Sequence, residues 1–144
     1  MKAGEICNRA VVIVQAEESA LVAARLMREH DVGDVVIVSG REEGKIPIGI
    51  VTDRDITTEL LAEEVDLDAV NVDEMFIGPN LVTVGADDDM LEVIKEMKKS
   101  GVRRIPVVET NGTLAGIITA DDVLCLIAEE FNLMAQLLVK QNTR

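Results

Sequence analysis

The chain has 144 residues, 48% of them hydrophobic, and a formal net charge of −13. The hydrophobic share excludes a disordered chain, and the length suits one compact domain with a core. The acidic balance excludes general binding to nucleic acid or anionic membranes, which need basic surface, but not a small anion held by a few local arginines.

In chain order, the opening residues MKAGEICNRA hold no signal-peptide stretch, which points to the cytoplasm. Val11–Val14 reads as a short apolar strand, followed by an acidic turn at Glu17 and Glu18. Ser19 can cap a helix that runs to His30, with Leu21, Ala24 and Met27 spaced along its apolar face. Two strands follow, Val35–Val38 and Ile46–Val51, joined by turn formers from Ser39-Gly40 to Gly44. A second helix begins after Thr52, and residues 64–72 form an acidic, partly apolar link.

The block then repeats, and internal repeats outrank other signals. Shifted by 70 positions (82 − 12), Val12, Val14, Met27, Val32 and Val38 land on Val82, Val84, Met97, Val102 and Val108. Thr52 meets Thr119 at an offset of 67, so the first copy carries a loop three residues longer. The openings match too, Gly4-Glu5-Ile6 on Asp73-Glu74-Met75. The second copy gives a strand at Leu81–Val84 and a helix from Asp89 to Ser100 with Leu91, Ile94 and Met97 on its apolar face. Strands at Ile105–Val108 and Leu114–Thr119 flank Thr110-Asn111-Gly112, the signature of a tight hairpin. The repeats span residues 2–65 and 71–130, each β-α-β-β-α, which is an α/β (α+β) fold. In the tail, residues 131–144, Leu and Met recur at helical spacing from Phe131 to Val139. It reads as a packing helix rather than a membrane-surface one, because Lys140 and Arg144 are its only nearby cations.

Catalytic and metal chemistry find little support. Cys7 and Cys125 lack Cys-x-x-Cys spacing and read as buried free thiols. His30, the only histidine, sits at a helix end, where a dipole or surface role suits it. Zinc would need further His or Cys ligands, and a nucleophile would need a base beside it. No phosphate loop, dinucleotide fingerprint or calcium loop is present. The chain reads as non-enzymatic, with no resident metal. With two Phe and no Tyr or Trp, any flat base bound here must lie between aliphatic side chains.

The repeated GIVTDRD and GIITADD, with VRRIPVV and VDEM, resemble the CBS domain family, specifically its stand-alone bacterial tandem proteins. The resemblance covers residues 2 to about 130. It implies two copies packed through their sheets with pseudo-twofold symmetry, two such modules pairing as a homodimer, and an adenosyl ligand in the clefts between copies. That ligand would be AMP, ADP or ATP, or else S-adenosylmethionine or a dinucleotide, and its binding would regulate an unidentified partner. The alternative is a homodimeric interaction scaffold with vestigial clefts.

The resemblance also distributes roles. Thr52 and Asp55, and Thr119 and Asp122, would hold ribose, since a carboxylate can accept from both ribose hydroxyls. Alone, each Thr-x-x-Asp reads as a helix cap. The base would sit against Val82 and Val102 in one cleft, and against Val12, Ile13 and Val32 in the other. Backbone groups near Cys7, Pro79 and Asn80 would read its edge. Arg103 and Arg104 would face phosphates in the Asp55 cleft, with Arg54 as a further donor. Gly33 and Asp34 occupy the matching places in the Asp122 cleft, and Ala120 is read as replacing Arg54. The Asp55 cleft is therefore expected to take the nucleotide, and the Asp122 cleft a weaker or less charged ligand. Surface pairing with the abundant acids is the competing role for Arg103 and Arg104.

Overall fold

The computed structural model describes residues 1–40, 44–75 and 81–142. In chain order the elements are α1 (Ala3–Ile6), β1 (Ile13–Gln15), α2 (Ala20–His30), β2 (Asp34–Ser39), β3 (Ile46–Thr52) and α3 (Asp53–Asp55). There follow β4 (Val84–Gly85), α4 (Met90–Ser100), β5 (Arg104–Val108), β6 (Leu114–Thr119) and α5 (Ala120–Asn142). α3 runs on into a π-helical turn, Ile56–Leu61, and a 3-10 turn, Val72–Met75, opens the second repeat.

The strands form two three-stranded sheets, β1-β2-β3 and β4-β5-β6. In each, the first strand runs parallel and the last antiparallel to the central one. The register slips at the same place in both, between Ile37 and Val38 and between Val107 and Val108, so even the bulge is duplicated. β1 and β4 start later than the sequence suggests, at Ile13 and Val84. Val11 leaves the sheet to pack on the seam between repeats.

β2 is buried on both faces. Val35 and Ile37 face α2, whereas Val36 and Val38 meet Ile117 of the other repeat. That two-sided burial explains an unbroken apolar run where a half-exposed strand would alternate. The helices sit rotated from the expected face. α2 buries Ala20, Ala23 and Met27, and α4 buries Val93 and Met97, while Leu91 is 57% exposed. A strict spacing of three drifts off a 3.6-residue period, and the mixed three-and-four spacing of Ala20, Ala23 and Met27 stays on it.

The openings of the two repeats are exchanged. Ala3 packs in the second repeat's core with Val84, Val93 and Ile118, and its N–H donates to the Asp88 carbonyl at 2.7 Å. Asn8 exchanges backbone hydrogen bonds of 2.9 and 3.0 Å with Ile117. In return Val72 is buried in the first repeat's core and donates to the Glu18 carbonyl at 2.8 Å. Where Cys7 and Asn8 cross β6, a Cβ on Gly116 would lie 2.6 Å from Cys7 Sγ and 2.7 Å from the Asn8 carbonyl oxygen, so only glycine fits. Pro106 has no N–H to give the first strand of its sheet: its counterpart Val36, 70 residues earlier, donates to the Val12 carbonyl at 3.0 Å, and β4 correspondingly begins only at Val84.

Three further expectations are modified. The Asn-Gly hairpin forms, but only Gly112 has a positive φ, +86°, and the Gly112 N–H donates to the Glu109 carbonyl at 2.9 Å. This is a longer loop with a glycine bulge, not the two-residue type I′ turn that Asn-Gly favours, which needs positive φ at both central residues. Both thiols are free, yet Cys125 is exposed and Cys7 half-buried. The tail is helical but continuous with α5, whose only buried residue among those described is Val123. No helix among the described residues is long and apolar enough to cross a membrane.

Candidate functional site

The two Thr-x-x-Asp turns form matching reciprocal caps. Thr52 Oγ1 accepts from the Asp55 N–H at 3.0 Å, and Asp55 Oδ2 accepts from the Thr52 N–H at 3.0 Å. Thr119 and Asp122 do the same at 3.1 and 3.2 Å. The capping role is thus real in both repeats. It engages one oxygen of each carboxylate. Asp55 is half-buried, whereas Asp122 is exposed.

A cleft of about 640 Å³ opens beside the first turn, lined by Thr52, Arg54, Val82, Val102, Arg103 and Arg104 together with Ile50, Leu81, Ser100 and Gly101. It therefore gathers residues of both repeats. Six of the seven residues expected for this cleft are in its wall; Asp55 stands behind Thr52 as its capping partner. Ile50 carries a signal that sequence reading passed over. It lies two residues before Thr52 on one strand and so shares its face. Ile50, Leu81, Val82 and Val102 make one side aliphatic, and the three arginines make the rim cationic.

The arginines differ in how far they are engaged. Arg104 Nη1 lies 2.8 Å from Asp34 Oδ2, both half-buried. Arg103 Nη2 lies 3.1 Å from Asp121 Oδ1, in an exposed pair of the kind that contributes little and is readily displaced. Arg54 makes no ion pair among the described residues. Two expectations are corrected here. Asp34 does not stand in the opposite cleft as an isolated negative charge, because its carboxylate turns to Arg104. Counted from the threonines, the residue in the place of Arg54 is Asp121, not Ala120.

No one of the clefts described here gathers the residues expected for the second cleft. Val12 and Ile13 line a hollow of about 360 Å³ with His30. Asp122 lines another of about 350 Å³ with Asn8 and Cys125. Thr119, Gly33 and Val32 line none of the clefts described here, and Val32 is 37% exposed. The backbone near Cys7 is committed, since the Cys7 N–H donates to Ala3 and the Asn8 N–H to Ile117. Pro79 and Asn80 lie outside the described residues. Among the described residues, no three His, Cys, Asp or Glu side chains gather to hold a metal ion.

The profile of the CBS domain matches residues 3–62 and 72–129. The chain belongs to the CBS domain family. Its two CBS domains stand in tandem, and both sheets and the helices between them match solved CBS pairs. An uncharacterized protein of Methanopyrus kandleri is 38% identical over 121 residues, which is 84% of this chain but 60% of that protein's length. Hypoxic response protein 1 of Mycobacterium tuberculosis is 32% identical over 84% of this chain and 81% of its own. Its crystal structure, which holds two coordinated zinc ions, superposes with a TM-score of 0.74 over 86% of this chain and 97% of that one. A CBS domain protein of Pyrobaculum aerophilum, complexed with AMP, shares the fold at a TM-score of 0.74 and 22% identity, covering 90% of this chain and 99% of its own.

Proposed function

We propose that this CBS pair is a ligand-sensing regulatory module, not a catalyst, and that it binds an adenosyl nucleotide (AMP, ADP or ATP) in the Thr52–Arg104 cleft. The carrying observation is the cleft itself. It brings an aliphatic wall from both repeats against three guanidinium groups in a volume of about 640 Å³, within the range usual for small-molecule sites. The base slides between Ile50, Val82 and Val102. The ribose lies against Thr52, with Asp55 behind it. The phosphates meet Arg54 first and Arg103 after its exposed partner is displaced, through charge-assisted bonds. That a protein of the same fold holds AMP supports the ligand class. Because the cleft joins the two repeats, a bound nucleotide favours whichever arrangement of them closes on it, and so acts on a partner protein or on the module's own pairing.

Calorimetry with AMP and ATP tests this. Arg54→Ala removes an exposed guanidinium with no ion pair among the described residues and should weaken ATP binding about tenfold to a hundredfold, as expected for a charge-assisted bond. Asp55→Asn keeps an acceptor for the cap and should also weaken binding, while Asp122→Asn should not. Absence of binding by every adenosyl nucleotide at millimolar concentration would leave the scaffold reading. Equal losses from the two Asp substitutions would overturn the preference for this cleft.

A further inference from the structure

The end of α4 carries a hydrogen-bonded pair of side chains at the cleft wall. Ser100 lines the Thr52–Arg104 cleft beside Gly101 and Val102. Its Oγ donates to Glu96 Oε1 at 2.7 Å, one helical turn earlier. Glu96 is half-buried and has no ion pair among the described residues. An ionised carboxylate can only accept, so it takes the hydroxyl hydrogen and leaves the Oγ lone pairs free for a donor. The backbone beside them offers no donor of its own, because the N–H groups of Gly101 and Val102 both turn back to the Met97 carbonyl. This corner of the aliphatic wall therefore presents acceptors. We infer, resting on the nucleotide reading above, that Ser100 held by Glu96 is the residue by which the cleft tells purines apart at position 6. An amino group there is accepted and an oxo group is refused.

The fold does not require this pair. Seventy residues earlier the same two places hold Leu26 and His30, which line the hollow of about 360 Å³ beside Val12. A helix can thus end here with neither a carboxylate nor a hydroxyl. Side-chain pairs one turn apart on a helix surface also add little stability. Placement gives the pair its role. Ser100 stands two residues before Val102 and shares the wall with Val82, so a base held against those two valines meets its hydroxyl. A 6-amino group donates to Ser100 Oγ, with the Glu96 charge behind it. A 6-oxo group sets lone pair against lone pair beside that charge, and a polar site left unpaired discriminates against the analogue that cannot answer it.

Calorimetry of the full chain with ATP and with inosine triphosphate, whose base carries an oxo group at position 6, tests the inference. The wild type should bind ATP about tenfold more tightly, the worth of one hydrogen bond made or refused. Ser100→Ala removes the acceptor and should bring the two affinities within about threefold, mainly by weakening ATP. Glu96→Ala frees the hydroxyl to donate to the oxo group and should close the gap from the other side, mainly by strengthening inosine triphosphate. A merely structural role would weaken both nucleotides together. A wild type without preference for ATP, or a preference that survives either substitution, overturns the inference and leaves the nucleotide reading standing. Binding of neither nucleotide overturns both.

Discussion

Asp31 and Gly101 occupy equivalent positions, 70 residues apart, and end α2 and α4 in the same left-handed conformation, with φ of 53° and 68°. Glycine takes this conformation without strain, while an aspartate meets Cβ crowding. The aspartate also places a negative charge at the negative end of the helix dipole. Asp31→Gly should therefore stabilise the chain by about 0.5–1 kcal/mol, after the greater unfolded-state freedom of glycine is subtracted. Gly101→Asp should destabilise it by a similar amount. Urea unfolding of both variants checks the pair, and a loss of stability in Asp31→Gly would mean that the carboxylate contributes something the conformational argument lacks. The Thr52–Asp55 turn shows where reading single residues stops. Sequence presents Asp55 as either cap or ligand contact, and the structure gives it the capping bond while leaving it behind the cleft wall.

Elements were legible where their signal is local. The Ser19 cap and the central and last strands of each sheet act within a few residues and found their place, whereas the two first strands begin late. The exchange of α1 and the Val72–Met75 turn was not legible, because sequence similarity marks which segments are alike and not which core each one enters. Its one local trace is Gly116, kept without a side chain because Cys7 and Asn8 pass over it. Gly116→Val should push that crossing segment away from β6. The cost should be about 1–3 kcal/mol, typical of overpacking a close contact. Hydrogen exchange gives the sharper reading. The amides of Ala3, Gly4 and Asn8, all bonded into the second repeat, should lose protection more than those of β2. Uniform loss across both repeats would count against a local cause.

For the whole molecule, the decisive relation is between the repeats. Asp34 and Arg104 are the same position in the two copies, 70 apart (104 − 34), and the pseudo-twofold packing brings them face to face at 2.8 Å. Sequence reading placed them in opposite clefts because it compared each residue with its counterpart and did not ask whether the counterparts meet. Their contact couples the join of the repeats to the nucleotide cleft, since Arg104 belongs to both. Two consequences pull apart. Asp34→Ala removes the partner of a half-buried guanidinium and should lower stability by about 1 kcal/mol. It also frees that guanidinium and removes a carboxylate near the phosphates, so ATP should bind about tenfold more tightly if the proposed pose is right, one charge-assisted bond being enough for that factor. Calorimetry beside thermal unfolding distinguishes the roles of Asp34. Lower stability with tighter ATP binding means that Asp34 competes with the ligand for Arg104. Lower stability with weaker binding means that Asp34 instead holds Arg104 in position for the phosphate, and the cleft would then be built by the ion pair rather than opposed by it.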